Sequence, residues 1–277
     1  MNGRFEAISR FGSMITAAGL TLLALPGCGG SDTEAAPGPK NTYVLVHGAF
    51  ADSSAWDKVK PLLEKEGDEV ITLDLPAHGK DTTPVAGATL QAYTDRVVKA
   101  IDGASQPVIL VGHSMGGAVV SQAAEARPDK VKKIVYLAAF LLEDQKKMGD
   151  VLSADKESKL GGYLSPSSDG STFATKEGWV EAAFCQDCSA EDAAAIRAHF
   201  NNAEPTAPFS TPIHVTNEKW GKIPRVYIET TQDRALGPAT QQSFYTAFPC
   251  EKVTLIATSH CPFLTKPAEL ADALKAL

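Results

Sequence analysis

Residues 107–128 constrain the fold of this chain more than any other stretch. Pro107-Val108-Ile109-Leu110-Val111 is a short apolar, β-branched run opened by a proline, the pattern of a buried strand. Ala118–Arg127 reads as a helix that stops at Pro128. Between them lies Gly112-His113-Ser114-Met115-Gly116. G-x-S-x-G at a strand-to-helix junction is a nucleophile elbow: the turn is so sharp that the serine is held in a strained conformation with its hydroxyl above the sheet. The flanking glycines keep Cβ atoms out of that crowded turn. Ser114 is therefore the candidate nucleophile.

Strand-like runs recur around this junction at Thr42–His47, Glu69–Asp74, Lys133–Ala138, Arg225–Glu229 and Lys252–Ile256. Helical stretches at Ser54–Glu66, Leu90–Ile101, Met115–Arg127, Thr240–Ala247 and Ala268–Ala276 separate or follow them. Such alternation implies an α/β fold with a mostly parallel sheet flanked by helices. Phe140–Ile223 is far too long for a crossover. It carries helical patterns at Lys176–Phe184 and Ala193–Phe200, the latter opened by the capping box Ser189-Ala190-Glu191-Asp192, and then turns proline-rich at Pro205, Pro208 and Pro212. The expectation is an inserted helical cap over about 141–223. Ligands bind outside the carboxyl ends of parallel strands, so a cap there roofs the site.

The first forty residues stand apart from the fold. Arg4 and Arg10 form a basic start, and Met14–Leu25 is an apolar run too short to span a bilayer as a mature helix. Leu25-Pro26-Gly27-Cys28 follows, and Leu-x-Gly-Cys after such a run resembles a bacterial lipobox, in which the cysteine is lipidated and becomes the mature N-terminus. The other possibility is an ordinary secretory signal with Cys28 incidental. Either way the chain is expected to be exported, with residues 1–27 as signal peptide, 28–40 as a polar Gly/Pro-rich tether and 41–277 as the folded domain. Acyl chains on Cys28 would anchor the protein rather than make it span the membrane. A net charge of −7 without basic clusters argues against nucleic acid or anionic membrane surfaces as partners. The oligomeric state is not legible.

A serine hydroxyl needs a base, and the base needs a carboxylate to fix its tautomer. On a fold of this kind the chain order is serine, acid, histidine. His199 and His214 belong to the insertion, whereas His260 lies beyond the last strand, after Thr258-Ser259, where a base would hang over the elbow. Asp233 follows the strand Arg225–Glu229 and is the expected acid, with Glu229 on the strand as the other candidate. For the oxyanion, one donor is the Met115 N–H, the residue after the nucleophile. The other is expected from the loop after the first strand, His47-Gly48-Ala49-Phe50, with Ala49 N–H the choice and Gly48 permitting close approach. His78, in Asp74–Gly79, reads as a loop-stabilising residue. Phe50, Met115 and Phe140 are candidate pocket walls, while Trp179 and Phe263 fit packing roles better.

Together these residues resemble the α/β-hydrolase superfamily, and within it the branch of plant methylesterases, hydroxynitrile lyases and related bacterial esterases. The resemblance rests on His47-Gly48-Ala49 with Ser54-Ala55-Trp56, Gly112–Gly117 and Leu137-Ala138-Ala139-Phe140. Cys188-Ser189-Ala190-Glu191-Asp192, Tyr227…Gln232-Asp233, and Ser259-His260 with Lys266-Pro267 extend it through nearly all of the chain after Lys40. It implies a Ser114–Asp233–His260 triad, no metal or organic cofactor, and hydrolysis of a small-molecule ester through an acyl-enzyme. The lyases place a threonine after the first-strand histidine and a lysine after the catalytic histidine. Here those positions are Gly48 and Cys261, which points to an esterase. A lyase-like activity on the same triad and a ligand-binding lipoprotein with a vestigial site are the alternatives.

Export permits disulfides. Cys185 and Cys188 are close enough to pair, but the C-x-x-C lacks a thioredoxin-like context and has no second pair to complete a zinc site. They are expected to be buried or structurally paired. Cys250 and Cys261 flank the last strand, whose length exceeds disulfide reach, so both are expected to be free thiols.

Overall fold

The structure, a computed structural model, describes residues 40–200 and 203–277. The expected signal peptide, the Cys28 lipidation site and all but the last residue of the tether lie outside the described residues. In chain order the strands are β1 (Thr42–Val46), β2 (Glu69–Thr72), β3 (Val108–His113), β4 (Val131–Leu137), β5 (Leu164–Pro166), β6 (Thr172–Thr175), β7 (Ala203–Pro205), β8 (Arg225–Thr230) and β9 (Lys252–Ile256). The helices are α1 (Lys60–Glu64), α2 (Leu90–Gly103), α3 (Gly116–Ala126), α4 (Met148–Ala154), α5 (Ala190–His199), α6 (Ala207–Ser210), α7 (Pro238–Ala247), α8 (Pro262–Thr265) and α9 (Pro267–Lys275).

Six strands form one sheet in the order β2-β1-β3-β4-β8-β9, every neighbouring pair parallel. β1 and β3 are buried along their whole length, which is why both are written as unbroken apolar runs rather than alternating ones. The strand order reverses between β1 and β3, and the loops leaving their carboxyl ends, 47–52 and 114–115, face each other at that switch point. The edge strand β9 is open to solvent, with Leu255 58% exposed.

Helix α2 illustrates how the flanking layer is held. Thr89 caps it by accepting from the Ala92 N–H at 3.1 Å. Leu90, Tyr93, Thr94, Val97 and Ile101, at three- and four-residue spacing, form its buried stripe. Burying each large apolar member stabilises the domain by about 1.5–3 kcal/mol. α2 packs on α3, and α1 on α9.

The helix expected over Ser54–Glu66 is divided. A 3₁₀ turn spans Ser53–Trp56, capped by the Asp52 carboxylate, and α1 starts only at Lys60. Pro61 sits in the first turn of α1 and has no N–H with which to continue a helix arriving from upstream. Between β4 and β8 the insertion carries α4, α5, α6 and a π-helical turn at Val180–Phe184, in place of the longer helix expected over Lys176–Phe184. It also contains a feature with no helical pattern, the small antiparallel sheet β5-β6-β7. Strands of three or four residues, two of them ending in Pro166 and Pro205, are too short to show alternation in the sequence.

Candidate active site

Ser114 leaves β3 at φ 52°, a left-handed conformation that is costly for a residue with a Cβ. The turn closes because a Cβ on Gly112 would lie 2.6 Å from the Gly116 carbonyl oxygen, and one on Gly116 would lie 2.7 Å from that of His47. Two long-range hydrogen bonds fix the strained residue: Ser114 N–H donates to Leu137 O at 3.2 Å, and Phe140 N–H donates to Ser114 O at 3.1 Å.

The 47–52 loop approaches the elbow just as closely. A Cβ on Gly48 would meet Ser114 Cβ at 2.7 Å and His113 Nδ1 at 2.8 Å. Neither a threonine nor an alanine fits there without moving the loop away from the serine. The loop is anchored by His47, whose Nδ1–H donates to Gly48 O at 2.8 Å while its Nε2 accepts from Leu75 N–H at 3.0 Å. Burial, reinforced by the nearby His78, pushes the His47 pKa down to about 3, so the ring is neutral and its tautomer fixed. Ala49 and Met115, whose amides are the expected oxyanion donors, are both buried, and Met115 stands at the N-terminus of α3.

Asp233 and His260 meet directly, His260 Nδ1 lying 2.6 Å from Asp233 Oδ2. The aspartate is saturated with donors. Oδ1 accepts from the Ala235 and Leu236 amides at 2.8 and 2.9 Å, and Oδ2 also accepts from Thr230 Oγ1 at 2.8 Å and Gln241 Nε2 at 3.0 Å. The other candidate acid, Glu229, accepts from Tyr245 Oη at 2.6 Å and Gln242 Nε2 at 3.3 Å on α7. His199 and His214 are solvent-exposed.

Several residues at the site were not singled out from the sequence. His113, fully buried beside the serine, donates from Nε2 to the His260 carbonyl at 2.9 Å, its ring 4.5 Å from that of His260. It ties the base loop to the elbow. The turn Cys185–Cys188 is closed by a disulfide, one of the two outcomes expected for this pair, with Cα atoms 5.3 Å apart. Within it Asp187 Oδ2 accepts from Thr258 Oγ1 at 2.6 Å and Ser259 N–H at 3.1 Å, while Gln186 Nε2 donates to Gln232 O at 2.5 Å. One turn of the cap thus holds both the loop before His260 and the loop before Asp233. Glu204 on β7 is also completely buried, and it reaches the Phe50 amide. Cys250 and Cys261 are free thiols among the described residues. Burial, helped by Asp233, Asp187 and Asp192, raises the Cys261 pKa well above its usual value, and its thiol donates to Phe184 O at 3.5 Å.

A cavity of about 620 Å³ opens over Ser114. Phe50 and Phe140 are in its wall, with Leu236 and, from the cap, Phe173, Phe184 and Phe209. Met115 contributes no wall among the described residues. Trp179 packs instead between Phe50 and Phe184, at 5.4 and 4.8 Å between ring centres, and Phe263 packs against Trp56 and His113.

Comparison with known proteins agrees with this geometry. The sequence profile of the alpha/beta hydrolase family matches residues 43–273. The putative chloroplastic methylesterase 14 of Arabidopsis thaliana is 31% identical over 243 residues, covering 82% of this chain and 69% of the relative. The alpha-hydroxynitrile lyase of Arabidopsis thaliana is also 31% identical, over 253 residues, 86% of this chain and 97% of the relative. The crystal structure of a pyrethroid hydrolase from Sphingobium faniae is 28% identical and superposes with a TM-score of 0.76, covering 85% of this chain and 96% of that one. The chain therefore belongs to the alpha/beta hydrolase family and stands among its esterase-type hydrolases.

Proposed function

We propose that this protein hydrolyses carboxylic esters through an acyl-enzyme on Ser114. The observation that carries this reading is the Asp233–His260 pair at 2.6 Å, tied through His113 to a strained serine under an apolar cavity. Ser114 Oγ attacks the ester carbonyl carbon as His260 Nε2 takes its proton. The Ala49 and Met115 amides bind the oxyanion of the tetrahedral intermediate. Its collapse breaks the bond to the alcohol oxygen, which leaves with the proton from His260. Water, deprotonated by His260, then attacks the acyl carbon, and the carboxylic acid and free Ser114 are released. Asp233 holds the Nδ1–H tautomer and stabilises the imidazolium.

A cavity of about 620 Å³ whose wall is mostly apolar, with Lys147, Asp150 and Glu204 also in its lining, favours esters with a bulky aromatic or alkyl part over small polar ones. The pyrethroid hydrolase among the solved structures is consistent with a large apolar substrate. The similarity to a hydroxynitrile lyase does not carry over to lyase chemistry. There is no room for a threonine side chain at Gly48, and the buried Cys261 thiol supplies no cation.

The test is hydrolysis of a 4-nitrophenyl ester by the form starting after Cys28, beside Ser114→Ala. Turnover that disappears in the variant supports the reading. Absence of turnover in the folded parent across short, long and aromatic acyl groups refutes it and favours a binding protein with a vestigial site. Export and anchoring through Cys28 are a separate proposal, supported by the lipobox-like Leu25–Cys28 and the preceding apolar run. Cys28→Ser should release active protein from membranes or block its maturation; unchanged membrane retention would refute the anchor.

A further inference from the structure

Apart from Ser114, one polar side chain in the lining of the cavity is buried rather than solvated. Lys147, Asp150, Ser153 and Ser210 are exposed, and Thr206 Oγ1 donates to the Gly170 carbonyl at 2.8 Å. Glu204, on strand β7 of the cap, lines the same cavity, yet its side chain is 1% exposed. A buried carboxylate in a mostly apolar wall is expensive, and apolar contacts would hold a cap down at lower cost.

One oxygen of this carboxylate fixes its place. Oε2 accepts from the Phe50 N–H at 2.5 Å and from His78 Nε2 at 3.0 Å. His78 Nδ1 lies 3.0 Å from the Pro76 carbonyl, so both ring nitrogens face acceptors, and only the doubly protonated ring donates to both. Burial disfavours that cation, but the charge and hydrogen bond of Glu204, with the Pro76 carbonyl, outweigh it and raise the His78 pKa. Glu204 and His78 thus form a neutral pair, held in position by the loop after β1 and by the Pro76 carbonyl.

Oε1 is left over, with no partner among the described residues. Tyr93 Oη is also buried without a partner, so the two are not bonded to each other, and Tyr93 is absent from the lining of the cavity. Apolar sites orient their ligands through a few placed polar groups. An acceptor screened from bulk water gains more from a ligand's donor than an exposed acceptor does. Because His78 already balances the charge, the donor that fits is neutral, a hydroxyl or an amide N–H. An ammonium would bring a buried charge with nothing left to compensate it.

We propose that Glu204 Oε1 is a specificity-determining acceptor in the substrate cavity, selecting esters whose apolar body carries a neutral hydrogen-bond donor away from the scissile bond. This role rests on the reading of Ser114 as an esterase nucleophile and narrows its substrate class. The nucleophile comes from the end of β3, and the discriminating oxygen comes from the cap.

The experiment measures kcat/KM for pairs of esters that differ in a hydroxyl against a methoxy group. One series is 4-nitrophenyl 3-phenylpropanoates substituted at the meta or para position, with the donor on the acyl side. The other is 2-phenylethyl acetates substituted likewise, with the donor on the alcohol side. The parent should favour the hydroxy member of at least one pair on the order of tenfold to a hundredfold. Glu204→Leu, first shown to unfold cooperatively, should bring that ratio to within about twofold of one. In Glu204→Gln the amide oxygen takes the Oε2 place, where two donors converge, and its NH₂ group replaces Oε1. Hydroxyl and methoxy oxygens both accept from an NH₂ group, so the ratio should again fall to about one. If Glu204→Leu does not fold, Glu204→Gln, of the same shape, decides. A preference that survives in Glu204→Gln reflects size rather than the donor and overturns the role. An aminomethyl member favoured over its hydroxy counterpart would overturn the neutral donor. Turnover of every ester without discrimination, abolished in Ser114→Ala, would overturn this role and leave the esterase reading standing. No turnover of any member, or turnover persisting in Ser114→Ala, would overturn that reading and this role together.

Discussion

Asp233→Asn tests whether the carboxylate does more than fill space. Two placements are open to the new amide. With its oxygen at the Oδ1 position, it still accepts from the Ala235 and Leu236 amides, and its NH₂ group then faces Gln241 Nε2 and His260 Nδ1. Thr230 can rotate its hydroxyl to accept, so one buried donor, that of Gln241, loses a partner. In the reverse placement two buried backbone amides face an NH₂ group. Each unmade buried hydrogen bond costs about 1–3 kcal/mol, so the first placement wins by roughly that amount. In it His260 Nδ1 must accept a hydrogen bond rather than donate one. The ring proton then sits on Nε2, where it blocks proton transfer from Ser114. The expected result is a fall in kcat on the order of 10⁴, with a loss of folding stability of only about 1–3 kcal/mol. Pre-steady-state release of 4-nitrophenol measures acylation directly, and calorimetry follows stability. Glu229→Gln is the control, since Glu229 is engaged by Tyr245 and Gln242, and its kcat should be unchanged. The tautomer argument would be falsified if Asp233→Asn, folded, kept kcat within about tenfold of the parent. A comparable loss in Glu229→Gln would move the acid to Glu229.

Acid should destabilise the fold before the carboxylates titrate. His47 and His113 are held neutral by burial, their pKa values lowered from 6.5, to about 3 for His47, so below pH 6.5 the unfolded chain binds protons that the folded one does not. The raised His78 pKa adds nothing in that window, because below 6.5 its ring is protonated in both states. Between about pH 6 and 4.5, stability should therefore fall by up to about 2.7 kcal/mol per pH unit, and a flat urea midpoint across that range would refute the neutral rings. Gly48→Thr should lower kcat on the order of a hundredfold by pushing the oxyanion loop off Ser114, and an unimpaired variant would mean the loop has slack. Reducing the Cys185–Cys188 disulfide, or Asp187→Ala, should loosen the loops before His260 and Asp233 and lower kcat by roughly tenfold. Activity indifferent to both would make that turn mere cap packing.

The catalytic candidates were legible because the chemistry forces them into fixed relations with strand ends. Ser114 is marked by glycines on either side of a strand-to-helix turn, Asp233 by following a buried strand, and His260 by being the histidine beyond the last one. The choice of Asp233 over Glu229 was possible because Glu229 lies on the strand itself, where a side chain is committed to the strand's packing or edge, and the structure turns Glu229 toward α7. The break before α1 could have been read from Pro61. The cap was another matter. Its small sheet is made of strands too short for periodicity, and whether Cys185 and Cys188 pair depends on the turn between them rather than on their spacing.

Sequence alone determined the parallel sheet, the elbow and the order of candidate residues, because those features rest on local periodicity, on proline and glycine, and on the direction in which a chain leaves a strand. It also indicated, through Gly48 and Cys261, which chemistry to disfavour. Only the tertiary structure decided what holds the candidates in place. His113 under the His260 carbonyl, Asp187 and Gln186 across two loops, and Glu204 on the Phe50 amide are separated in sequence from their partners by 147, 71, 46 and 154 residues respectively. No pattern within a window of sequence encodes such pairs, because each exists only once the fold has brought distant segments together.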